Sequence, residues 1–173
     1  MSKPRVLITY FSETGHTRAA AKALAEMIEA DLEFIETASL GHGFWAWLMR
    51  GFAAMRGLRP TIVKPRHDAG FYDLVVLATP VWAGHITSPM RSYVTLQRQN
   101  FNRVALLLTL GGSGAGSAFI DLESECKIAP VAHCALTDHD RKTKADHAKL
   151  EKFASKIKDA LAGNSVEKMK MAA

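Results

Sequence analysis

Ser12-Glu13-Thr14-Gly15-His16-Thr17 sets three hydroxyl side chains around one glycine, between the apolar run Arg5–Phe11 and the alanine-rich stretch Thr17–Ala30. A strand entering and a helix leaving would put this loop at a helix N-terminus. Free backbone N–H groups and the positive end of the macrodipole make such a place an anion site. Ser12, Thr14 and Thr17 can each donate a hydrogen bond to a phosphate oxygen. The loop has no lysine, so it is not the Walker type whose ammonium reaches β- and γ-phosphates. A hydroxyl nest of this kind suits one terminal phosphate. The plainer role is helix capping, but a cap needs a single hydroxyl.

The rest of the chain must hold that loop in place. Leu32–Glu36 alternates like a short strand, whereas Leu74–Ala78 (LVVLA) and Arg103–Leu110 (RVALLLTL) are nearly continuous apolar runs. Runs without polar alternation have both faces covered, as in parallel sheets flanked by helices. Val131–Leu136 completes a set of five strands. Helices are expected over Thr17–Ala30, where Leu24, Met27 and Ile28 form an apolar stripe, and over Ala115–Cys126. A third should cover Ser88–Gln99, with Ser88 as N-cap and Pro89 at the first helical position. The last should cover Thr143–Leu161 and stop at Gly163.

Five β/α repeats with right-handed crossovers give an α/β fold, a three-layer doubly wound sandwich. Its five-stranded parallel sheet is expected in the 2-1-3-4-5 order. Ligands of such sheets bind at the carboxyl ends of the strands, where the winding reverses. The loops after the first, third and fourth strands meet there. The 173 residues suit one domain, expected over 1–163, with 164–173 a frayed tail.

Ser-x-Thr-Gly-x-Thr after a first strand resembles the FMN phosphate loop of the flavodoxin family, and the resemblance extends over residues 5 to about 162. It implies that Ser12, Thr14, Gly15, His16 and Thr17, with Glu13 by its backbone, wrap the ribityl phosphate of FMN. Thr79-Pro80-Val81-Trp82-Ala83-Gly84-His85-Ile86-Thr87-Ser88-Pro89 is similar to the P-x-W-x-G loop that frames the flavin ring in flavodoxin-like proteins. Trp82 offers a flat apolar wall, and Gly84 permits close backbone approach or a positive φ. A Trp packed against neighbouring helices is the plainer alternative. The third loop is Leu110-Gly111-Gly112-Ser113-Gly114-Ala115-Gly116-Ser117, with four glycines in six positions. Its exposed backbone donors suit the pyrimidine end of a flavin, and its alternative is a run of turn glycines. The implied cofactor set is therefore Ser12 to Thr17, Thr79 to His85 and Leu110 to Gly114, around FMN.

Rival chemistries find less support. Gly112-x-Gly114-x-x-Ser117 followed by Asp138 imitates a dinucleotide fingerprint. Ser replaces the third glycine, however, and too little chain follows for a second nucleotide half. His16, His42, His67, His85, His133, His139 and His147 lack compact metal-ligand spacing, so no metal is expected. No catalytic residue is assigned; His85, beside the ring loop, is the one candidate for proton delivery. Cys126 and Cys134 make neither a disulfide framework nor a CxxC site.

The chain carries 22 Lys plus Arg against 17 Asp plus Glu, a net charge of +5. Much of the excess lies among Arg141, Lys142, Lys144, Lys149, Lys152, Lys156 and Lys158, interleaved with acids like a solvated helix face. No nucleic-acid partner is therefore expected. No apolar run reaches a membrane span, and the N-terminus reads without a cleavable leader. A reduced, cytoplasmic protein is the expectation. Segment 43–60 holds three Arg and no acid, with Phe44, Leu48, Phe52 and Met55 at helical spacing. A crossover helix is its simplest role. Trp45, Trp47 and Met49 fall outside that stripe and suit a flavin cover, a dimer contact or a membrane surface.

The resemblance implies a redox protein that transfers electrons through non-covalently bound FMN. Carriers of the family are acidic around the ring, which disfavours a reduced anionic flavin. This basic chain is therefore expected to have a less negative potential. The third loop lacks the second aromatic that often covers the ring, which favours the alternative of an NAD(P)H-dependent FMN or quinone reductase. A redox partner protein serves the first reading, NAD(P)H and a quinone the second. A third reading is an interaction module that kept the fold without the flavin.

Overall fold

The computed structural model describes residues 3–37 and 56–171, the stretch 164–171 by its backbone alone. Among the described residues there are six strands: β1 (Val6–Tyr10), β2 (Asp31–Phe34), β3 (Leu74–Trp82), β4 (His85–Ile86), β5 (Val104–Leu110) and β6 (His133–Thr137). The helices are α1 (His16–Ile28), α2 (Ser88–Gln97), α3 (Ala115–Cys126), α4 (Asp138–Thr143) and α5 (Asp146–Met171). The sheet runs β2-β1-β3-β5-β6 with every neighbour parallel, and β4 folds back antiparallel on β3. Counting the parallel strands alone, this is the expected 2-1-3-4-5 order.

The apolar runs explain the layering. Residues of one parity (Ile8, Val76, Leu107) point into a core with Leu24 and Ile28 of α1 and Phe153 and Ile157 of α5. Residues of the other parity (Leu7, Val75, Leu106) pack with Met90 and Tyr93 of α2 and with Ala118 and Leu122 of α3. The sheet is thus covered on both sides, as parallel strands require. Thr9 keeps a hydroxyl inside this interior by donating to the Tyr93 hydroxyl at 2.9 Å. Burial pushes that phenol's pKa up to about 12, so it stays neutral.

Several local readings change. Thr79, Pro80, Val81 and Trp82 belong to β3 rather than to a loop, and β4 makes the segment a hairpin. Proline is tolerated there for a geometric reason. Val75 N–H points to β5, so by alternation position 80 faces the β1 side, and β1 has already ended opposite Ala78. No ladder bond is lost. The N-cap of α2 is Thr87, with Ser88 the first helical residue; the Thr87 hydroxyl bonds Thr79 instead of the helix.

Gly163 does not stop the last helix, which runs through it to Met171. The single helix expected from Thr143 is two, because Lys144 takes a left-handed conformation (φ 60°) between α4 and α5. Of segment 43–60, residues 43–55, including the expected crossover helix and its Trp residues, lie outside the described residues. No helix of the described residues is long and apolar enough to cross a membrane.

α4 begins with a capping box. The Thr137 hydroxyl accepts from Asp140 N–H at 3.1 Å, and the Asp140 carboxylate accepts from Thr137 N–H at 2.8 Å. Lys149 of α5 donates to the same carboxylate at 2.7 Å. The Lys149 bond first, then the bonds from Thr137, hold the Asp140 carboxyl well below the usual carboxylate range. A depressed folded-state pKa stabilises above the unfolded value of about 3.9 and is lost as pH falls below it. Asp140→Asn should therefore lower the melting temperature at neutral pH and flatten the acid limb of the stability curve. Thermal unfolding from about pH 7 down to about pH 3 checks this, and an unchanged acid limb would refute it.

Candidate functional site

The first loop does not cap its own helix. Gly15 is the N-cap of α1 in a left-handed conformation (φ 90°), and no side chain bonds the first turn. The Thr17 hydroxyl is buried and lies 2.7 Å from the Thr109 hydroxyl at the end of β5. Ser12 is buried and its hydroxyl has no hydrogen-bond partner. Leaving a buried hydroxyl unpaired costs about 1–3 kcal/mol. Thr14 is exposed. The capping alternative for these hydroxyls therefore fails, and the orphaned Ser12 hydroxyl fits a phosphate oxygen better than a structural role.

The β3–β4 hairpin turns on Ala83 (φ 49°) and Gly84 (φ 80°), both left-handed, as a two-residue turn between right-twisted strands demands. Alanine pays roughly 1–2 kcal/mol for that conformation. Trp82 stands at the hairpin's end, half-buried, edge-on to Phe11 with centroids 5.6 Å apart. The turn touches the third loop at one point. Gly114 is the left-handed N-cap of α3 (φ 94°), and a Cβ there would sit 3.0 Å from Gly84 Cα. Glycine is required at 114 by both conformation and space.

These loops surround a cleft of about 280 Å³ at the carboxyl edge of the sheet. From the first loop it is lined by Glu13, Thr14, His16 and Thr17, from β3 by Pro80, Val81 and Trp82, and from the third by Leu110 and Gly111. Nine of the expected cofactor residues thus share one surface. Ser12, Gly15, Thr79, Ala83, Gly84, His85, Gly112, Ser113 and Gly114 do not line it. Thr79 is buried against Thr87, while Gly112 and Ser113 are exposed.

Three further residues line the cleft that sequence reading missed: Thr109, Asp138 and Arg141. β6 brings the last two in, since Leu110 pairs with Thr137. The Thr137-x-x-Asp140 capping signature was visible in the sequence, but Arg141 looked like part of the charged face of one long helix.

His85 leads away from the cleft lining. Its Nδ1 lies 3.4 Å from Asp121, which also accepts from Ile86 N–H at 3.2 Å. Arg91, buried to 5% exposure, donates to Asp121 at 2.6 Å and to Glu125 at 2.5 Å. Arg59 closes the network on Glu125 at 2.8 and 2.9 Å. Burial alone would pull the Arg91 pKa down; its bonds to Asp121 and Glu125 outweigh that and raise it. The hairpin beside Trp82 is therefore anchored to α2 and α3 by an ion-pair network centred on buried Arg91. Cys126 and Cys134 lie in opposite cores. Burial pushes their thiols up to about 12 and about 11, which leaves neither as a nucleophile. Among the described residues no group of His, Cys, Asp and Glu could hold a metal ion.

A doubly wound sheet with its cleft at this edge defines a flavodoxin-like fold. The family model described as Flavodoxin matches residues 5–153, and the chain belongs to the flavodoxin family. Solved structures agree on the fold. A flavoprotein of Lactobacillus acidophilus NCFM, crystallised in complex with FMN, superposes with a TM-score of 0.69 at 18% identity, over 82% of this chain and 98% of that one. A protein of Bacteroides eggerthii DSM 20697 described as a flavoprotein gives 0.70 at 26% identity, over 88% and 99%. Another from Bacteroides uniformis ATCC 8492 gives 0.71 at 20% identity, over 89% and 99%. No curated protein matches the chain.

The ion-pair network can be tested without any ligand. Arg91→Ala leaves Asp121 and Glu125 facing an emptied site and should cost roughly 3–5 kcal/mol of stability. Denaturant unfolding measures it; a loss under about 1 kcal/mol would mean the guanidinium contributes no more than a surface pair.

Proposed function

We propose that this protein binds FMN in the cleft and acts as a redox flavoprotein. The observation that carries the reading is the uncapped start of α1. A helix N-terminus without a side-chain cap opens beside a loop of three hydroxyls, one of them buried and unpaired, and on the same cleft as Trp82. Such a terminus suits an anion. The crystallised complex of the Lactobacillus flavoprotein with FMN adds support at the level of the fold.

In this reading Ser12, Thr14, Gly15, His16 and Thr17, with the backbone of Glu13, hold the phosphate. Trp82 provides the ring's wall, positioned by the hairpin through Ala83, Gly84 and His85, with Thr79 to Val81 beneath. Leu110, Gly111, Gly112, Ser113 and Gly114 supply backbone donors to the ring's edge. The flavin supplies the electron chemistry, while the protein contributes binding, orientation and the surrounding charge. No residue is assigned a catalytic role.

Electron transfer to a partner protein is the first reading. A second, NAD(P)H-dependent FMN or quinone reductase, is favoured by one feature. The third loop brings Leu110 and Gly111 to the cleft and no aromatic side chain, which favours a second planar molecule at the ring's other face. Steady-state NAD(P)H oxidation with a quinone separates the two. Turnover supports the reductase; reduction only through a partner reductase supports the carrier.

Purified protein incubated with FMN should be yellow, with a perturbed flavin spectrum. Thr14→Val combined with Gly15→Val should weaken FMN binding by about tenfold or more, the equivalent of one or two lost hydrogen bonds and a forced left-handed valine. Equilibrium titration reads this directly, and unchanged affinity would remove the phosphate from this loop.

A further inference from the structure

Among the described residues lining the cleft, Arg141 is the one permanent cation, and it stands there with two carboxylates, Glu13 and Asp138. It is half-buried, and its guanidinium pairs with Asp138 one turn earlier on α4. That pair has little structural purpose. The start of α4 is already closed by the Thr137–Asp140 box, and Lys149 ties Asp140 to α5. A part-exposed i,i+3 pair contributes little to stability.

The framework places this cation beside the phosphate loop. Thr17 of α1 bonds Thr109 of β5 at 2.7 Å, and Thr109 pairs with Leu136 of β6, two residues before Asp138. The starts of α1 and α4 therefore flank the same end of the cleft. A guanidinium has five N–H donors in a fork. Arg141 can keep Asp138 and still present donors to a phosphate, whereas the first loop has no lysine of its own.

The geometry points to Arg141 as the counter-ion of the cofactor's phosphomonoester, with Asp138 its competitor for the guanidinium; the inference rests on the reading that FMN occupies this cleft. Arg141 then sets the preference for FMN over riboflavin, which carries the same ring without the phosphate.

The test is equilibrium titration of the intact protein with FMN and with riboflavin. Wild type should bind FMN more tightly. Arg141→Gln should weaken FMN by about tenfold or more, as expected for a lost charge-assisted hydrogen bond, and leave riboflavin unchanged. Arg141→Lys should retain most of the preference, Asp138→Asn should increase it, and added salt should erode it in wild type more than in Arg141→Gln. An FMN-to-riboflavin ratio unaltered by Arg141→Gln overturns the assignment, as does an equal loss for both flavins, which would mean a structural role. A wild type that binds neither flavin refutes the reading beneath the assignment and the assignment with it.

Discussion

Three central strands, β1, β3 and β5, are sealed on both faces, and the rest of the molecule follows from that. Leu7, Ile8, Leu74 to Ala78 and Val104 to Leu108 have no exposed surface. Strands buried this way satisfy their backbone groups only through one another. As parallel neighbours they are joined by crossovers over a face of the sheet, usually helical and with a fixed hand. Every strand-to-helix connection then leaves at the same edge. The cleft is where those connections meet, so its position is a consequence of burying the sheet.

The connections are then locked to one another by small and polar contacts. Thr17 meets Thr109, Thr79 meets Thr87, and Gly114 lies against Gly84. Asp121 reaches from α3 to the backbone of Ile86, held there by buried Arg91. The Thr79–Thr87 bond closes the β3–β4 hairpin onto the start of α2, and the other contacts join residues from different crossovers, so the loops form one rim. A rim held by its own bonds reaches the ligand already shaped, which lowers the ordering cost of binding.

Charge is distributed unlike the net value. The chain is basic overall at +5, yet among the described residues the cleft is lined by two carboxylates and one guanidinium. Net charge describes long-range attraction and solubility. Affinity for an anionic group depends on the few charges within a Debye length or less of it. Here those come from Glu13, Asp138 and Arg141, and much of the surplus lysine sits on α5.

The strand order, the two cores and the surplus of hydroxyls in the first loop were legible in the chain. An apolar run without alternation reports burial on both faces whatever its neighbours are, and three hydroxyls around Gly15 exceed what a cap uses. The hairpin was not legible, because Pro80 reads as a strand breaker until the register shows that β1 has ended beside it. Nor was the fate of the hydroxyls, since Thr17 finds a partner 92 positions away. Arg141 looked like one charge in a solvated series until β6 aligned with β5. Periodicity records how each segment is buried along its own length. Which side chains face one another across a cleft depends on pairing between distant strands, and that is settled only when the sheet assembles.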